Sequence, residues 1–281
     1  MGEYDLLIDY GNGEQKLSEL LPKVNLLSFS PPAPIIERDV QSIPGKSGLI
    51  QTNQKKVVYK ERSIPVKLLI KSVIPQQFYL WRSEVYRLLV RDHSYYISNT
   101  FEPYKRWLVT CDGNFSIEKE AQYRHKEFQV EFTCLPGVAE SKYNTDSAYN
   151  LSKERFGIGM NIPNEDLVYL FEDSNAQLPY QFRVYNGGDI RLYTTEHDFE
   201  VEMTLTGKNV KISNRNTGEY LIINETLTNA KVSIFRQYVT VNGKIAKTTG
   251  RFPSLLPGYN LMEVSGASQK SIKFNTRFYY K

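Results

Sequence analysis

A chain of 281 residues is close to the upper limit for a single hydrophobic core, so its length favours two domains of roughly 140 residues each. Its 35 Lys and Arg residues nearly balance its 31 Asp and Glu residues, which argues against a basic nucleic-acid tail. Tyr and Phe are abundant, at 20 and 14, and Gly and Pro punctuate short segments. This composition is typical of strands and predicts a mostly β protein.

The N-terminal residues Met1 to Asp5 contain neither the basic region nor the apolar core of a signal peptide. No apolar run approaches the roughly 18 residues that are needed to span a bilayer. We therefore expect a soluble protein that is made inside the cell and has no membrane partner. In a reducing compartment, Cys111 and Cys134 are expected to be buried free thiols rather than a disulfide.

The most informative segment of the first half runs from Ile43 to Ile50 and reads Ile-Pro-Gly-Lys-Ser-Gly-Leu-Ile. Pro44-Gly45 and Gly48 are turn residues. Together with the alternating segments beside them, they predict a long protruding hairpin over residues 35–60. A hairpin of this kind, without a catalytic constellation around it, is typical of an assembly component rather than an enzyme.

A long strand and a helix are predicted after the hairpin. Apolar residues alternate from Val57 to Ile70, with a break near Glu61-Arg62, which indicates a long strand or a bulged pair. The helix should begin near Pro75, because proline suits the first helical position. Its apolar face comprises Phe78, Trp81, Val85, Leu88 and Leu89.

Further strands complete an N-terminal domain over residues 1–140. They are predicted at 94–97, 105–110, 114–117 and 127–133. The polar, turn-rich stretch 136–150 is the predicted domain boundary, so the second domain covers 150–281. There, alternating segments recur roughly every ten residues with Asn-Gly and Pro-Gly turns between them, as in a β-sandwich. These segments are 180–185, 200–205, 210–213, 220–224, 231–235, 238–241, 261–264 and 271–279.

Residue types that carry chemistry are scattered in this sequence. His93, His125 and His197 lack metal-ligand spacing, so we interpret them as surface or loop residues and expect no metal. Gly157-Ile158-Gly159 lacks a third glycine and is interpreted as a turn rather than a dinucleotide site. The pairs Glu165-Asp166 and Glu172-Asp173 are interpreted as solvated loop charges. We therefore expect no catalytic activity and no cofactor.

A basic run surrounds Tyr59 near the base of the predicted hairpin. It comprises Lys55, Lys56, Lys60 and Arg62. Cations beside an aromatic ring could bind nucleic acid, but lysines on an edge strand more commonly protect it against aggregation. We favour the second interpretation and expect no specific nucleic-acid partner.

Several motifs, taken in order, resemble the distal tail protein (Dit) family of long-tailed, non-contractile bacteriophages. In the first half these are the Pro-Gly-x-x-Gly hairpin, the Arg-x-Ile-x-Val strand from Arg62, the helix that follows, and the segment 131–137, which ends in Leu-Pro-Gly. In the second half they are the segments 182–188, 216–219 and 256–260. The resemblance lies in the order and spacing of these signals and spans nearly the whole chain.

This resemblance implies a ring-forming, split-barrel-like N-terminal domain with one helix and a C-terminal galectin-like jelly-roll β-sandwich. It also implies a hexameric ring in the virion tail tip that joins the tail tube protein to a tail-associated hub protein and a receptor-binding protein or fibre. Phage DNA would pass through the ring, and the protein would be synthesised in the host cytoplasm. A closed ring needs a complementary protrusion on each subunit. The candidate interface residues are Ile43, Pro44, Gly45, Gly48, Leu49 and Ile50.

The alternative function is a carbohydrate-binding module that adheres to host cell-wall glycan, and a wall hydrolase is a more distant one. Both tryptophans, Trp81 and Trp107, lie in the first half, and residues 145–281 contain no His-x-Asn-x-Arg strand of the lectin type. We therefore expect the C-terminal surface to bind protein rather than glycan. Phe252, Leu255 and Tyr259 are the candidate partner-binding residues, and we expect at least one of them to pack in the core instead.

Overall fold

The computed structural model describes residues 4–52, 57–71, 75–113, 115–118, 125–145, 155–174 and 179–281. These residues are mostly β, in antiparallel sheets with little helix, which confirms the predicted fold class. The chain divides into two compact units, residues 1–139 with 281, and residues 140–280. The division falls inside the polar stretch 136–150.

Within its described residues, the first unit contains a sheet, a hairpin and two helices. Its strands are β1 Leu6–Asp9, β2 Glu14–Lys16, β3 Val24–Phe29, β4 Ile36–Glu37, β5 Val40–Ser42, β6 Leu49–Gln51, β7 Val58–Tyr59, β8 Arg62–Lys71, β9 Tyr95–Asn99, β10 Lys105–Thr110 and β11 His125–Cys134, and its helices are α1 Leu17–Leu20 and α2 Pro75–Leu89. The strands of the sheet are hydrogen-bonded in the order β2-β1-β9-β10-β11-β8-β3.

The alternation of apolar residues explains the centre of this sheet. Along β8 the side chains are alternately buried and outward-facing, and the same holds along β11. In their shared ladder Ile64 lies opposite Phe132, and Val66 opposite Val130. All four side chains are buried, so each cross-strand pair contributes to one core face. The predicted break at Glu61-Arg62 is confirmed, because β7 ends at Tyr59 and β8 begins at Arg62.

The predicted helix is confirmed as α2. Phe78, Val85 and Leu89 are buried on its inner face, while Trp81 and Leu88 are half-buried. The strand predicted at 114–117 is wrong in the part that the structure describes, since 115–118 have no strand conformation. Phe115 instead packs edge-on against Tyr86 of α2, with ring centroids 5.3 Å apart, and the Ile117 N–H donates to the Tyr86 hydroxyl.

The second unit is built around three unusually long strands. Its strands, beginning with one at the boundary, are β12 Ala139–Ser141, β13 Leu170–Asp173, β14 Tyr180–Asn186, β15 Phe199–Asn214, β16 Tyr220–Phe235, β17 Tyr238–Val241, β18 Lys244–Ile245, β19 Thr248–Gly250, β20 Gly258–Thr276 and β21 Tyr279–Tyr280. The main sheet has the order β13-β20-β15-β16-β17-β18, with β14 also paired to β20 and β19 also paired to β16.

The sequence predicted pairs of short strands where the structure has β15, β16 and β20, and this part of the prediction is wrong. The interruptions in alternation mark bends within a strand rather than turns between strands. The β15–β20 ladder shifts register around Gly207, where an added Cβ would lie only 2.1 Å from the Gly266 carbonyl oxygen. Gly266 and Asn209 have φ of 78° and 50°, so these bends use the left-handed region.

The bends fold the sheet into two layers that face each other. One layer contains β14 and β19 beside the first half of β20 and of β16, and the other contains β13 and β17 beside their second halves. Phe171 of β13 stacks on Phe182 of β14 with ring centroids 4.4 Å apart, which joins the layers in a shared aromatic core. Two facing layers are what a β-sandwich requires; the galectin-like topology stays a prediction.

Candidate interaction surfaces

A hairpin, here called the arm, is formed by residues 35–52 and 57–60. β4 pairs with β7 and β5 pairs with β6, both antiparallel. The Lys60 N–H donates to the Ile35 carbonyl at 3.0 Å at the base, and the Lys46 N–H donates to the Ile43 carbonyl at 3.1 Å near the tip. Gly45 and Gly48 have φ of 83° and 84°, which explains why glycine suits both positions.

The arm exposes a series of apolar side chains. Every residue from 35 to 50 is exposed, and Leu49 retains 67% of its accessible surface. The large apolar side chains that the arm exposes are Ile35, Ile36, Val40, Ile43, Leu49, Ile50 and Val58. A two-stranded hairpin is at best marginally stable in water, and contiguous exposed apolar surface marks protein contacts. This surface is therefore suited to burial against another protein.

All six predicted interface residues lie exposed at the end of the arm, around its turn. Ile35, Ile36, Val40 and Val58, which were not predicted from the sequence, extend the exposed apolar surface toward the base of the arm. The sequence does contain a signal for these four residues: apolar residues recur on both sides of the Pro-Gly turn. The predicted interface included only the residues of the turn and their immediate neighbours.

The base of the arm is anchored by a buried arginine. Arg62 is almost fully buried, and its Nη1 donates to the Pro32 carbonyl. Burial lowers the pKa of its guanidinium, and its Nε has no hydrogen-bond partner among the described residues. Close by, an added Cβ at Gly137 would lie 2.0 Å from the Lys60 carbonyl oxygen. The arm therefore emerges from a tightly packed base.

The structure describes two of the four basic residues that surround Tyr59 in the sequence. Lys55 and Lys56 lie outside the described residues. The Lys60 ammonium lies 3.3 Å from the Glu37 carboxylate across the arm, and Arg62 is buried. Neither of these two side chains therefore presents the unneutralised, exposed charge on which a phosphate-binding patch depends.

Of the three partner-binding candidates in the second unit, only Tyr259 is accessible. Phe252 is buried with its ring 5.9 Å from that of Phe199, and Leu255 is fully buried in a backbone bridge to Leu192. These two side chains are core residues, which corrects the prediction that they contact a partner. Tyr259 is 43% exposed, and its ring centroid lies 4.7 Å from that of Tyr185.

Tyr259 and Tyr185 form one wall of a surface depression of about 320 Å³. The Tyr259 hydroxyl donates to the Glu165 carboxylate, and the Tyr185 hydroxyl donates to the Asn161 carbonyl. Asp166 and Arg183 line the same depression. Two aromatic rings held by hydrogen bonds beside charges of both signs offer a partner both apolar contact and ion pairing.

The loop that carries Phe252 and Leu255 is held in place by Glu219. This carboxylate accepts hydrogen bonds from the Arg251 guanidinium at 2.6 Å and from the Ser254 N–H at 2.9 Å, and the Arg191 guanidinium lies 3.1 Å away. Burial alone would raise the pKa of Glu219. The hydrogen bonds from Ser254 and Arg251 and the charge of Arg191 outweigh burial and lower the pKa to about 2.

Among the described residues, no group of three or more His, Cys, Asp or Glu could hold a metal ion. His93 and His125 are exposed, whereas His197 is half-buried and its Nδ1 accepts the Tyr193 N–H at 3.1 Å. Burial lowers the pKa of His197. No helix within the described ranges is long and apolar enough to cross a membrane.

The two cysteines are buried, and at least one carboxylate of each acidic pair makes a specific contact. Cys111 and Cys134 are buried free thiols, and burial raises the pKa of Cys111 to about 11. Asp173 forms an ion pair of 2.6 Å with the buried Lys270. Glu165 accepts the Tyr259 hydroxyl, as described above. Glu172 and Asp173 lie on β13 rather than in a solvated loop, which corrects that part of the prediction.

Comparison with known proteins agrees with this architecture. Residues 12–134 match the model of the phage tail protein RIFT-related domain, and residues 192–278 match that of the siphovirus-type tail component, C-terminal domain. No curated protein sequence matches the chain.

Solved structures resemble the chain over its whole length. The crystal structure of the Dit protein of phage SPP1, described as a paradigm of the hub adsorption apparatus in phages that infect Gram-positive bacteria, is 12% identical with a TM-score of 0.59. That match covers 99% of this chain and 100% of the SPP1 chain, and it shows a shared fold. Two chains from activated phage p2 baseplates, with strontium and with calcium, match at TM-scores of 0.41 and 0.42 and identities of 11% and 10%, each over 98% of both chains.

The two family models match the first unit and the second unit in the order that the sequence motifs predicted. The SPP1 match extends the same fold across both units. The chain therefore belongs to the siphophage distal tail protein (Dit) family of phage tail components.

Proposed function

We propose that this chain is the structural hub of a long non-contractile phage tail tip and closes into a homo-hexameric ring. The observation that carries the proposal is the arm, whose apolar side chains are exposed from residue 35 to residue 50. Burying one large aliphatic side chain contributes about 1.5–3 kcal/mol, so several of them supply a substantial part of an interface.

In this proposal the arm of each subunit packs against the next subunit. Such a contact is heterologous, and it generates a closed ring when the rotation per subunit closes. The packed base around Arg62 and Gly137 fixes the direction of the arm before assembly, which reduces the ordering cost of binding. The number six comes from the family resemblance.

The ring is proposed to join the tail tube protein to a tail-associated hub protein and a receptor-binding protein or fibre. The first unit, residues 1–140, forms the ring, and the galectin-like unit, residues 150–281, carries the outer contacts, with Tyr259 as its partner-binding residue. In the virion the ring surrounds the path of the phage DNA without a specific nucleic-acid site. The protein has a mechanical role and no catalytic one, and it is synthesised in the host cytoplasm.

The test is the mass of the purified protein by multi-angle light scattering and native mass spectrometry. We expect six times the chain mass of 32.5 kDa. Leu49→Asp places a charge in the proposed interface and should give monomers, whereas Ile245→Asp, at a highly exposed position of the second unit, should leave the hexamer intact. A wild-type chain that is monomeric at every concentration, or a Leu49→Asp variant that still forms hexamers, would refute the role of the arm.

A further inference from the structure

The second unit has a groove on the outer face of the layer that contains β13 and β17. The groove has a volume of about 460 Å³ and is lined by residues of β13, β20, β15, β16 and β17. A neighbouring depression of about 310 Å³ shares Thr204 and Ser271 with it. The two therefore form one continuous depression across the strands.

The ladder registers arrange the lining side chains in rows across the strands. In one row, each residue lies directly opposite the next on the neighbouring strand: Leu170, Lys273, Glu202, Ser233 and Thr240. The next row begins with Ser271, Thr204 and Lys231. Paired residues point to the same face, so hydroxyl, ammonium and carboxylate groups alternate along the groove at the strand spacing of about 4.8 Å.

Charge decides which ligand chemistry this surface fits. Lys231 and Lys273 are offset by Glu202 in the groove and by Glu172 and Glu200 beside it. Two of the hydroxyls are held by these flanking carboxylates, since Ser233 donates to Glu200 at 3.3 Å and Ser271 donates to Glu172 at 3.2 Å. A nearly balanced surface of mixed charges and hydroxyls suits neither a polyanion nor a polycation. It suits a neutral ligand that is rich in hydroxyl groups.

An aromatic pair lies beside this surface on the same face. Phe235 and Tyr238 are cross-strand partners: Phe235 lies two residues after Ser233, and Tyr238 lies two residues before Thr240, so both point to the same face as that row. Their side chains are 46% and 52% exposed, and the Arg236 guanidinium lies 5.5 Å from the Phe235 ring. A sugar ring has an apolar face of C–H groups and an edge of hydroxyls. An exposed aromatic ring can pack against the apolar face, while the neighbouring row of polar side chains can hydrogen-bond the hydroxyls.

We propose that this groove binds a neutral oligosaccharide that lies across the strands, with one sugar ring against Tyr238 and its hydroxyls hydrogen-bonded to Glu202, Ser233 and Thr240. The second half lacks tryptophan and a lectin-type strand, so its sequence alone did not predict glycan binding. The groove depends instead on residues that are distant in sequence and come together only through the strand register. The inference does not rest on the ring, because all of these residues belong to the second unit.

The test uses the full-length chain and isothermal titration calorimetry with cellotetraose, chitotetraose and a glycerol phosphate oligomer as probes. We expect saturable binding of at least one of the two neutral tetrasaccharides, with a dissociation constant in the millimolar range or tighter. Tyr238→Ala should weaken that binding about tenfold, and Glu202→Gln by a smaller factor. Tyr238→Phe keeps the ring and should bind nearly as the wild type does.

Tyr220→Ala is the matched control, because Tyr220 is a similarly exposed tyrosine on the other half of β16. This variant should retain full binding. Thermal melts check that each variant is folded, and light scattering of Tyr238→Ala should show the same assembly state as the wild type. The proposal is overturned if neither tetrasaccharide binds, if only the anionic oligomer binds, or if Tyr238→Ala and Tyr220→Ala weaken binding equally.

Discussion

The strongest stability prediction concerns Glu219, which holds the loop of Phe252 and Leu255 against the core. Its pKa falls from an ordinary value of 4.5 to about 2 in the folded chain, and its side chain is only 14% exposed. The difference between these two pKa values corresponds to about 3 kcal/mol of folding free energy. Because the pKa is lowered on folding, this stabilisation is present above pH 4.5 and is lost as the pH falls toward 2.

Glu219→Gln removes the charge at every pH. We therefore expect the variant to be about 3 kcal/mol less stable than the wild type at pH 7, with the difference shrinking toward zero near pH 2. Urea unfolding of both proteins, followed by far-UV circular dichroism at a series of pH values, measures this difference in the free energy of unfolding. The exposed control Glu202→Gln, in the same unit, should stay within about 0.5 kcal/mol of the wild type at pH 7.

A difference between wild type and Glu219→Gln that is the same at pH 7 and pH 3 would refute this account. It would mean that the Glu219 charge does not carry the stabilisation and that the loop is held by packing alone. The free energy of unfolding of the variant must be subtracted from that of the wild type at each pH, because other carboxylates titrate over the same range in both proteins.

Four further predictions test the fold and the surfaces. Gly207→Ala should destabilise the second unit by about 3 kcal/mol or more in urea unfolding, since the added Cβ meets the Gly266 carbonyl at 2.1 Å; a change below 1 kcal/mol would show that the bend tolerates a side chain. Cys111 and Cys134 should both react with a thiol reagent after denaturation without reductant, and a mass spectrum with no label would reveal a disulfide. Limited proteolysis should cut within 137–150 and release two folded fragments, whereas a C-terminal fragment that aggregates without a cooperative melt would contradict the boundary. Tyr259→Ala should weaken pull-down of tail-tip proteins with little change in melting temperature; undiminished pull-down would remove it from the partner surface.

Local signals in the sequence were sufficient to predict the hairpin and the helix. Pro44-Gly45 and Gly48 define the turn of the arm because each glycine supplies a left-handed conformation that other residues adopt poorly. The apolar spacing from Phe78 to Leu89 predicts the buried face of α2 because a helix repeats every 3.6 residues. Both features depend on residues that are close together in the chain.

Features that depend on distant residues could not be predicted in this way. An interruption of alternation looks the same in sequence whether the chain turns back or bends, so the second unit appeared to have many short strands. The burial of Phe252 and Leu255 follows from the folding of one layer over the other. The groove beside Tyr238 depends on the register of five strands, and register is set by pairing partners that the sequence does not name.

The three long strands have a mechanical consequence for the second unit. In a sandwich whose layers are linked only by surface loops, the layers can separate by breaking side-chain contacts. Here β15, β16 and β20 each continue covalently from one layer into the other. Prying the layers apart would bend three backbones at once and shear the hydrogen bonds between them, so a pulling force applied to one layer is carried directly into the other.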